Sequence, residues 1–305
     1  MTQVTDPRAG SATSSAGSRH WRSKSAYLGV LPFLLFSGLF LLYPTYNVIL
    51  GAFKDNENNF SFFALGEAFN SDITRHAFKN SLVLSLWTAL AGSVLGGLFA
   101  WALVTGKKKG FFYRFSIALS SVLAQFGGVM LTFAFLATFG FNGVVSTLAM
   151  KVMPSSFLAD SAWLYGLNGL IVVYTFFQIP LMVLVFLPTI ENLRPQWREA
   201  SDSLGGNSRE YWTKIGIPVL TPSFAGAALL LFVNSFSAYA TAATLINLTS
   251  FLTPLQIATS LSSEVGGANP AEAKALSFFM IVLVTFVMAL YALLRRRVTK
   301  WEANG

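Results

Sequence analysis

Six long stretches of this chain are apolar and contain no Asp, Glu, Lys or Arg. A helix needs about 20 apolar residues to cross a hydrocarbon core of about 30 Å, so each stretch predicts one membrane-spanning helix. The pattern as a whole therefore predicts an all-α integral membrane protein with six spans. The stretches lie near residues 26–53, 80–104, 115–139, 164–190, 219–248 and 275–294.

The segments around these stretches are polar. Residues 1–25 are rich in Ser, Thr, Gly and Arg without apolar periodicity, which predicts a disordered tail. Residues 54–79 mix Asn, Phe, Asp and Glu and predict a loop with a short amphipathic helix, while residues 140–163 carry Gly, Pro and Ser turn signals. Residues 26–294 would then form one membrane domain, followed by a basic tail at residues 295–305.

The composition supports a membrane location. Hydrophobic residues make up 54% of the 305 positions and charged residues only 11%, with a mean hydropathy of +0.58, so too few polar side chains are present to cover a soluble globule. The chain has no Cys, which excludes disulfides and thiolate metal sites. Its two His residues, His20 and His76, are too far apart in sequence to indicate a metal site.

Positive charge is distributed unevenly among the loops. Sixteen of the 21 Lys and Arg residues precede span one, follow span six, or lie between spans two and three or four and five. Loops rich in Lys and Arg stay in the cytoplasm, so both termini are expected there. Because the formal charge of +8 is divided among four separate segments, it predicts membrane topology and not nucleic-acid binding.

The polar loop at residues 191–218, between spans four and five, begins with the signals of a short helix. Pro195 has the fixed φ that suits the first turn of a helix, and Gly205 suits the position just after the end of one. Residues 195–204 are therefore predicted to be helical.

The second half of the loop carries the signals of another helix. Asn207 is followed three positions later by Glu210, which predicts a capping box, and Pro218 is expected to end the helix that this box opens. The apolar residues of the loop could either fit a partner's groove or pack on the ends of the spans. These residues are Trp197, Ala200, Leu204, Tyr211, Trp212 and Ile215.

The loop contains Glu-Ala-Ser-Asp-Ser-Leu-Gly at residues 199–205, and Ile215 and Pro218 follow. This spacing resembles the EAA loop of ABC importer permeases, whose pattern is E-A-A, three residues, G, nine residues, I, one residue, L-P. Two positions depart from the pattern, because Ser201 replaces the third Ala and Ile217 replaces Leu. Both replacements keep the size class of the side chain. The chain thus resembles the six-helix membrane subunit of a type I, binding-protein-dependent ABC importer.

The resemblance implies a role for each matched residue. In the family, the loop docks into a cleft of the ATPase subunit. Glu199 would be the anionic anchor, Ala200 the small residue that allows close approach, and Gly205 the turn between the two helices. Ile215 and Pro218 would join the loop to span five. The residues implied in coupling are Trp197, Glu199, Ala200, Ser201, Gly205, Ile215 and Pro218.

The resemblance also implies partners and a location. They are two copies of an ABC ATPase subunit, a second homologous permease subunit, an extracytoplasmic solute-binding protein and the bacterial inner membrane. The sequence has no G-x-x-x-x-G-K-[ST] phosphate loop. ATP and Mg²⁺ are therefore expected on the partner subunit, and this chain is expected to be non-catalytic and to need no cofactor.

Polar residues at membrane depth mark a possible translocation path, since an unpaired amide in the bilayer usually faces another helix or water. Hydrogen bonding between helices is the alternative for each of them. Asn234, Ser237 and Thr241 recur at helical spacing and are predicted to share one face. Gly92 and Gly96 predict close helix packing. The path candidates are Gln125, Gln178, Asn234, Ser237, Tyr239 and Thr241.

Two other function classes fit less well. An ion-coupled carrier would normally place Asp, Glu or His inside the bundle, and an integral-membrane enzyme would need clustered catalytic residues; the six stretches offer neither.

The Leu204-Gly205 pair resembles the L-G found at this point of the loop in polyamine, iron, sulfate and phosphonate permeases, whereas sugar permeases usually have D-G here. Residues 234–246 and 256–257 also resemble polyamine and phosphonate permeases. The predicted solute is a polyamine or an aminophosphonate, with a sugar as the alternative.

Overall fold

The computed structural model describes residues 24–54, 59–106, 110–152, 161–246, 252–262 and 269–303, with side chains described only within 30–294. The predicted N-terminal tail lies almost entirely outside the described residues, as do Lys107, Lys108 and Lys109 of the second basic segment. The chain divides into two compact units, residues 1–47 and residues 48–305.

In the first unit, helix α1 (Lys24–Ser37) continues through a π-helical turn (Gly38–Leu42) into α2 (Tyr43–Ala52), whose second half belongs to the second unit. The N–H of Tyr43 donates to the carbonyl of Gly38, five residues back. Pro44 follows the wide turn by two residues, and a proline ring clashes with the carbonyl four residues before it. The π turn shifts the hydrogen-bond register where that clash would arise.

The second unit continues with helices that we number in chain order. They are α3 (Phe63–Asn70), α4 (Asp72–Thr105), α5 (Phe111–Gln125), α6 (Val129–Phe139), α7 (Val144–Val152), a 3₁₀ turn (Ser161–Tyr165), α8 (Leu167–Glu191), α9 (Pro195–Ser203), α10 (Ser208–Tyr211), a π turn (Trp212–Gly216), α11 (Ile217–Ser237), α12 (Ala240–Ile246), α13 (Thr253–Ser262) and α14 (Pro270–Ala303).

Within the described residues, six helical segments are long and apolar enough to cross a membrane. The fold class predicted from the sequence, an all-α membrane protein with six spans, is confirmed. The segments are Val30–Ala52, Asp72–Thr105, Val129–Val152, Leu167–Glu191, Ser208–Ser237 and Pro270–Leu294.

Two spans that the hydropathy predicted as continuous are broken, and that expectation was wrong. The predicted third span, residues 115–139, breaks between Gln125 and Val129, where Gly128 has a φ of 69° that favours glycine. The third crossing segment is Val129–Val152 instead, so it takes in part of the loop predicted at residues 140–163. The predicted fifth span, residues 219–248, breaks between Ser237 and Ala240, and there the hydroxyl of Tyr174 donates to the carbonyl of Ala238 at 2.7 Å. A hydrogen bond from another helix therefore satisfies a carbonyl that the second break frees.

The loop predicted at residues 54–79 is shorter than expected. Its short helix is confirmed as α3, which buries Ala64 and Ala68. Helix α4, however, begins already at Asp72, so His76 lies in a helix and not in a loop. The side chain of Ser71 accepts a hydrogen bond from the Thr74 N–H and caps this early start.

Helices α4, α8 and α11 form the centre of the second unit. A Cβ atom on Gly92 would lie 2.6 Å from Cβ of Gln178, and one on Gly96 would lie 2.6 Å from the carbonyl oxygen of Ile179. Larger residues at either glycine would push α4 away from α8. The predicted close packing at this glycine pair is confirmed.

The centre contains two apolar cores with a polar layer between them. Leu84, Tyr174 and Phe177 belong to one core, together with residues of α6, α12 and α13. The other core lies further toward the α9 end of α8. Buried polar residues of all three central helices separate the two cores. They are Ser85, Thr88, Gln178 and Ser235.

Candidate coupling loop and translocation path

Helix α9 is the exposed part of the loop. It begins with Pro195 at its first position, as predicted. The backbone N–H groups of the first turn have no partner within the helix, so proline loses nothing there by lacking one. The structure describes all nine residues of α9, and none of them is buried. Because no residue of α9 is fully buried, packing adds little to its stability, and the signals at its ends contribute more to its conformation.

The C-terminal signal is a complete Schellman motif around Gly205. The N–H of Gly205 donates to the carbonyl of Asp202 at 3.0 Å, and the N–H of Gly206 donates to the carbonyl of Ser201 at 2.9 Å. Gly205 has a φ of 78°, which confirms the predicted turn. A Cβ on Gly206 would lie 2.7 Å from Ser201 Oγ, so the second glycine is needed for space.

The second half of the loop begins with the predicted capping box. Asn207 Oδ1 accepts from the N–H of Glu210 at 2.9 Å, and a carboxylate oxygen of Glu210 accepts from the N–H of Asn207 at 3.2 Å. Lys214 Nζ donates to Glu210 at 3.1 Å. This bond to Lys214 and the bond from Asn207 hold the pKa of Glu210 below its ordinary value.

The expectation that Pro218 ends this helix is wrong. Helix α10 runs through the π turn into α11, so residues 208–237 form one helical segment. The N–H of Ile217 donates to the carbonyl of Trp212, five residues back. Pro218 again follows the π turn by two residues, as Pro44 does, which lets the helix continue past a residue without an N–H.

The apolar residues of the loop divide between the two alternatives left by the sequence. Tyr211 is only 5% exposed, and Trp212 packs on the second core and meets Trp101 edge-on at 6.2 Å. These aromatics anchor the loop to the spans. Leu204, in contrast, is 88% exposed beside the turn, and Ala200 is exposed on α9. Trp197 and Ile215 are half-buried.

Charged side chains hold the two loop helices together and leave Glu199 available. Arg198 donates to Ser208 Oγ at 3.1 Å, and its guanidinium lies 6.0 Å from the ring centre of Tyr211. The carboxylate of Glu199 is exposed and makes no hydrogen bond or ion pair with any described residue. It is thus free to accept donors from another molecule.

Sequence reasoning missed two contacts that fix the loop. The hydrogen bond from Arg198 to Ser208 crosses the turn between α9 and α10, and no sequence pattern indicates it before both helices are placed. Tyr113, at the start of α5, donates to Glu191 at the end of α8, 78 positions later. No local pattern signals that pair.

The path candidates fall into three environments. Gln178 is fully buried in the polar layer, and its Nε2 donates to the carbonyl of Leu231 at 2.7 Å. Asn234 is exposed on α11, and its Nδ2 lies 3.4 Å from Oε1 of Gln178. Gln125 and Tyr239 are exposed at the two helix breaks, where Tyr239 is 42% exposed.

The expectation that Asn234, Ser237 and Thr241 share one face is wrong. The break at Ala238 and Tyr239 interrupts the helical phase between them. Asn234 and Ser237 are both exposed, whereas Thr241 is 2% exposed and turned inward.

The two helix breaks lie against each other. Thr132 Oγ1 lies 3.1 Å from the carbonyl oxygen of Gly128 and 3.2 Å from that of Thr241, so the hydroxyl proton is shared between these two acceptors and joins α6 to α12. A Cβ on Gly128 would lie 3.5 Å from Cβ of Ala240, an ordinary contact distance. Both breaks thus occur in the same region of the bundle, beside the exposed polar residues of α11.

The fold of this chain is found among solved structures of ABC transporters. The fold matches a chain of a bacterial ABC transporter for the import of alginate, with a TM-score of 0.68, 17% identity and coverage of 90% of this chain and 95% of that one. It also matches a chain of the inward-facing MetNI methionine ABC transporter, with a TM-score of 0.55, 15% identity and coverage of 74% and 95%. The fold is that of an ABC importer membrane subunit.

Sequence similarity leads to the same class. The ferric transport permease FbpB of Actinobacillus pleuropneumoniae is 24% identical over 212 residues, and the thiamine transport permease ThiP of Brucella melitensis is 25% identical over 222. The sulfate transport permease CysT of Salmonella typhimurium is 26% identical over 166 residues. These matches cover 68%, 70% and 53% of this chain.

The chain spans 29% of that FbpB, 38% of ThiP and 56% of CysT, so it corresponds to part of each of these curated relatives. No family model matches the chain. The resemblance to ABC importer permeases that the loop indicated is confirmed by these relatives and by the fold.

Proposed function

We propose that this chain is the non-catalytic permease subunit of an ATP-driven ABC importer. The observation that carries the proposal is the geometry of the loop between α8 and α11. Helix α9 has no buried residue, is closed by a Schellman turn at Gly205, and presents the exposed Leu204 and the carboxylate of Glu199, which has no partner among the described residues. An exposed helix whose end is fixed by a hydrogen-bonded turn is suited to docking into a partner.

In this proposal the loop transmits the movement of an ATPase subunit to the spans. Tyr211 and Trp212 pack on the bundle, and the π turn continues without interruption into α11. A displacement of α9 would therefore act on α11 through a continuous helical segment. The carboxylate of Glu199 would anchor the loop through charge-assisted hydrogen bonds, which are stronger than neutral ones.

The remaining partners follow from the same assignment. Two ATPase subunits would bind ATP and Mg²⁺, a second homologous permease would complete the pore, and an extracytoplasmic binding protein would deliver the solute. The excess of Lys and Arg in four of the loop and tail segments supports cytoplasmic termini and a cytoplasmic α9 in the bacterial inner membrane.

The exposed polar residues beside the breaks would line the translocation path. Asn234, Ser237, Gln125 and Tyr239 are exposed in the chain alone, and amides at membrane depth avoid lipid. Gln178 and Thr241 are buried and would support the path from behind. The predicted solute is a polyamine or an aminophosphonate, with a sugar as the alternative. The named relatives, which transport ferric iron, thiamine and sulfate, do not favour either of these.

The first experiment places the loop relative to the membrane. The absence of Cys allows single labels without background. Thr213→Cys in the loop should react with an impermeant thiol reagent only after the membrane is opened. Gly66→Cys in α3, where a side chain meets no neighbour within 4 Å, should react in intact cells. Reaction of Thr213→Cys from outside would reject the proposal.

The second experiment compares two carboxylates on the same exposed helix. Glu199→Ala should reduce recovery of the ATPase subunit with this chain by roughly 10- to 150-fold, since a hydrogen bond to a charged group contributes about 1.5 to 3 kcal/mol. Asp202→Ala, which removes the same charge three residues away, is the control and should leave recovery within about threefold. ATP-dependent uptake should fall in parallel with recovery. Equal recovery for both variants would show that Glu199 is not an anchor.

A further inference from the structure

The orientation of the buried amide of Gln178 is fixed by its backbone partner. Its Nε2 lies 2.7 Å from the carbonyl oxygen of Leu231, and a carbonyl can only accept a hydrogen bond. The amide must therefore direct its nitrogen to Leu231 and its oxygen elsewhere. Burial of the whole side chain makes the reverse orientation costly, because two oxygens would then face each other without a proton.

That orientation determines the orientation of Asn234. The Oε1 atom of Gln178 lies 3.4 Å from Asn234 Nδ2 and can only accept, so Asn234 must direct its nitrogen inward. Its Oδ1 then lies on the other side of the amide. Among the described residues Oδ1 makes no hydrogen bond, and Asn234 is exposed.

Ser237 adds a second oxygen of the same kind one helical turn away. Its hydroxyl donates to the carbonyl of Val233 at 2.9 Å. The proton is thus used within α11, and the lone pairs of Oγ remain for other molecules. Because residues three apart on a helix are neighbours, Asn234 and Ser237 form an acceptor pair.

The surrounding polar layer holds this arrangement in place. Ser235, on the opposite and buried side of α11, faces Thr88 of α4 at 2.7 Å. The hydroxyl proton of Thr88 already goes to the carbonyl of Leu84, so Ser235 is the donor in this pair. Gly92 allows α4 to approach Gln178 closely. The position of Gln178 is therefore constrained from two helices besides its own.

We infer that Gln178 is a positioning residue that turns the carbonyl oxygen of Asn234 toward the solute, so that the path favours solutes with N–H or O–H donors over solutes with acceptors only. The inference rests on the proposed function, because it assigns a solute class to the proposed path. One N–H hydrogen of Asn234 remains free. Acceptors therefore outnumber donors at this pair of residues, but a donor is still present.

The solute class follows from the chemistry of the pair. A protonated amine donates to both oxygens, and a hydroxylated solute can do so as well. Sulfate offers acceptors only and would meet the lone pairs of Asn234 and Ser237. The path as built therefore favours a polyamine, an aminophosphonate through its ammonium group, or a sugar, and disfavours a bare oxyanion.

The test measures the response of the Asn234 amide to two probes. The importer is ¹⁵N-labelled at Asn, purified through this chain together with the subunits that it retains, and placed in lipid bilayers for solid-state NMR. The signal of the Asn234 side-chain amide is assigned by its loss in Asn234→Ser. Addition of spermidine should shift this signal at concentrations at least tenfold lower than sulfate. Equal responses to the two probes in the unmodified protein would overturn the inference.

Three variants separate positioning from mere stability. Gln178→Met removes the fixed acceptor and should bring the responses to spermidine and sulfate within threefold of each other. Gln178→Glu should keep the preference, because burial favours the neutral acid, which can donate to Leu231 and accept from Asn234. Gln256→Met removes another buried amide, one that donates to Glu272 and not to any path residue, and should also keep the preference. An unchanged preference in Gln178→Met would overturn the positioning role.

Uptake distinguishes failure of the inference from failure of the proposed function. In vesicles, ATP-dependent uptake should favour spermidine over sulfate, and Gln178→Met should lower that ratio about tenfold. ATP-dependent uptake with sulfate preferred would overturn the solute class alone. Uptake of neither probe and of no sugar, together with no recovered ATPase subunit, would overturn the proposed function, whatever the NMR response.

Discussion

The loop around α9 and the helix breaks beside α12 differ in the range of the contacts that shape them. The Schellman turn and the capping box use hydrogen bonds between residues three to five positions apart. The break in span five uses the Tyr174 hydroxyl, 64 positions from Ala238, and α6 joins α12 across 109 positions. One region is shaped by its own sequence, and the other by the fold around it.

This difference matches the proposed tasks of the two regions. A loop that docks into another protein must keep its shape while exposed, and contacts within the loop provide that shape without burial. A path at membrane depth needs freed carbonyls to be satisfied, and only neighbouring helices can do so there. Local changes should therefore affect docking without affecting the bundle, and distant changes should affect the breaks.

The largest effect is expected at Gly205. A β-branched residue with a φ of 78° is strained by roughly 1 to 2 kcal/mol or more, so Gly205→Val should reorient α9. We expect uptake and recovery of the ATPase subunit to be lost, with a normal amount of protein in the membrane. Gly205→Asn, which tolerates this conformation better, should retain most of both. Loss of membrane protein in Gly205→Val would show that the loop and the bundle fold together.

A smaller effect is expected at Tyr174, on the side of the long-range contacts. Tyr174→Phe leaves the partly buried carbonyl of Ala238 without its donor, and the cost should not exceed the roughly 1 to 3 kcal/mol of a fully buried group. We expect faster amide hydrogen exchange in α12 and a lower thermal unfolding temperature of the purified protein. Recovery of the ATPase subunit should be unchanged.

Tyr165→Phe is the matched control for the break, because the hydroxyl of Tyr165 has no hydrogen bond with any described residue. It should leave exchange in α12 unaltered. Equal exchange in Tyr174→Phe and Tyr165→Phe would mean that the break does not depend on the distant hydroxyl.

The range of the contacts also explains what the sequence could predict. The start of α9 at Pro195, the turn at Gly205 and the Asn207 capping box follow from residue types at short spacings, and all three were predicted. The early start of α4 and the course of the helix past Pro218 depend on a cap and a π turn that hydropathy does not register. The break at Ala238 has neither Gly nor Pro, and only the position of Tyr174 explains it.

The smallest expected effect tests whether the loop is shaped by its own charges. The pKa of Glu210 is lowered by its bonds to Lys214 and Asn207, so the stabilisation that it gives is present above its ordinary value of 4.5 and is lost as the pH falls through its value in the folded protein. Amide hydrogen exchange at residues 208–211, corrected for the intrinsic dependence on pH, should therefore become faster relative to that of α8 in acid. Glu210→Gln keeps an acceptor for the Asn207 N–H but cannot titrate, so its relative exchange should not change with pH. The same acid-dependent loosening in both proteins would show that a distant group, and not the capping box, controls this end of the loop.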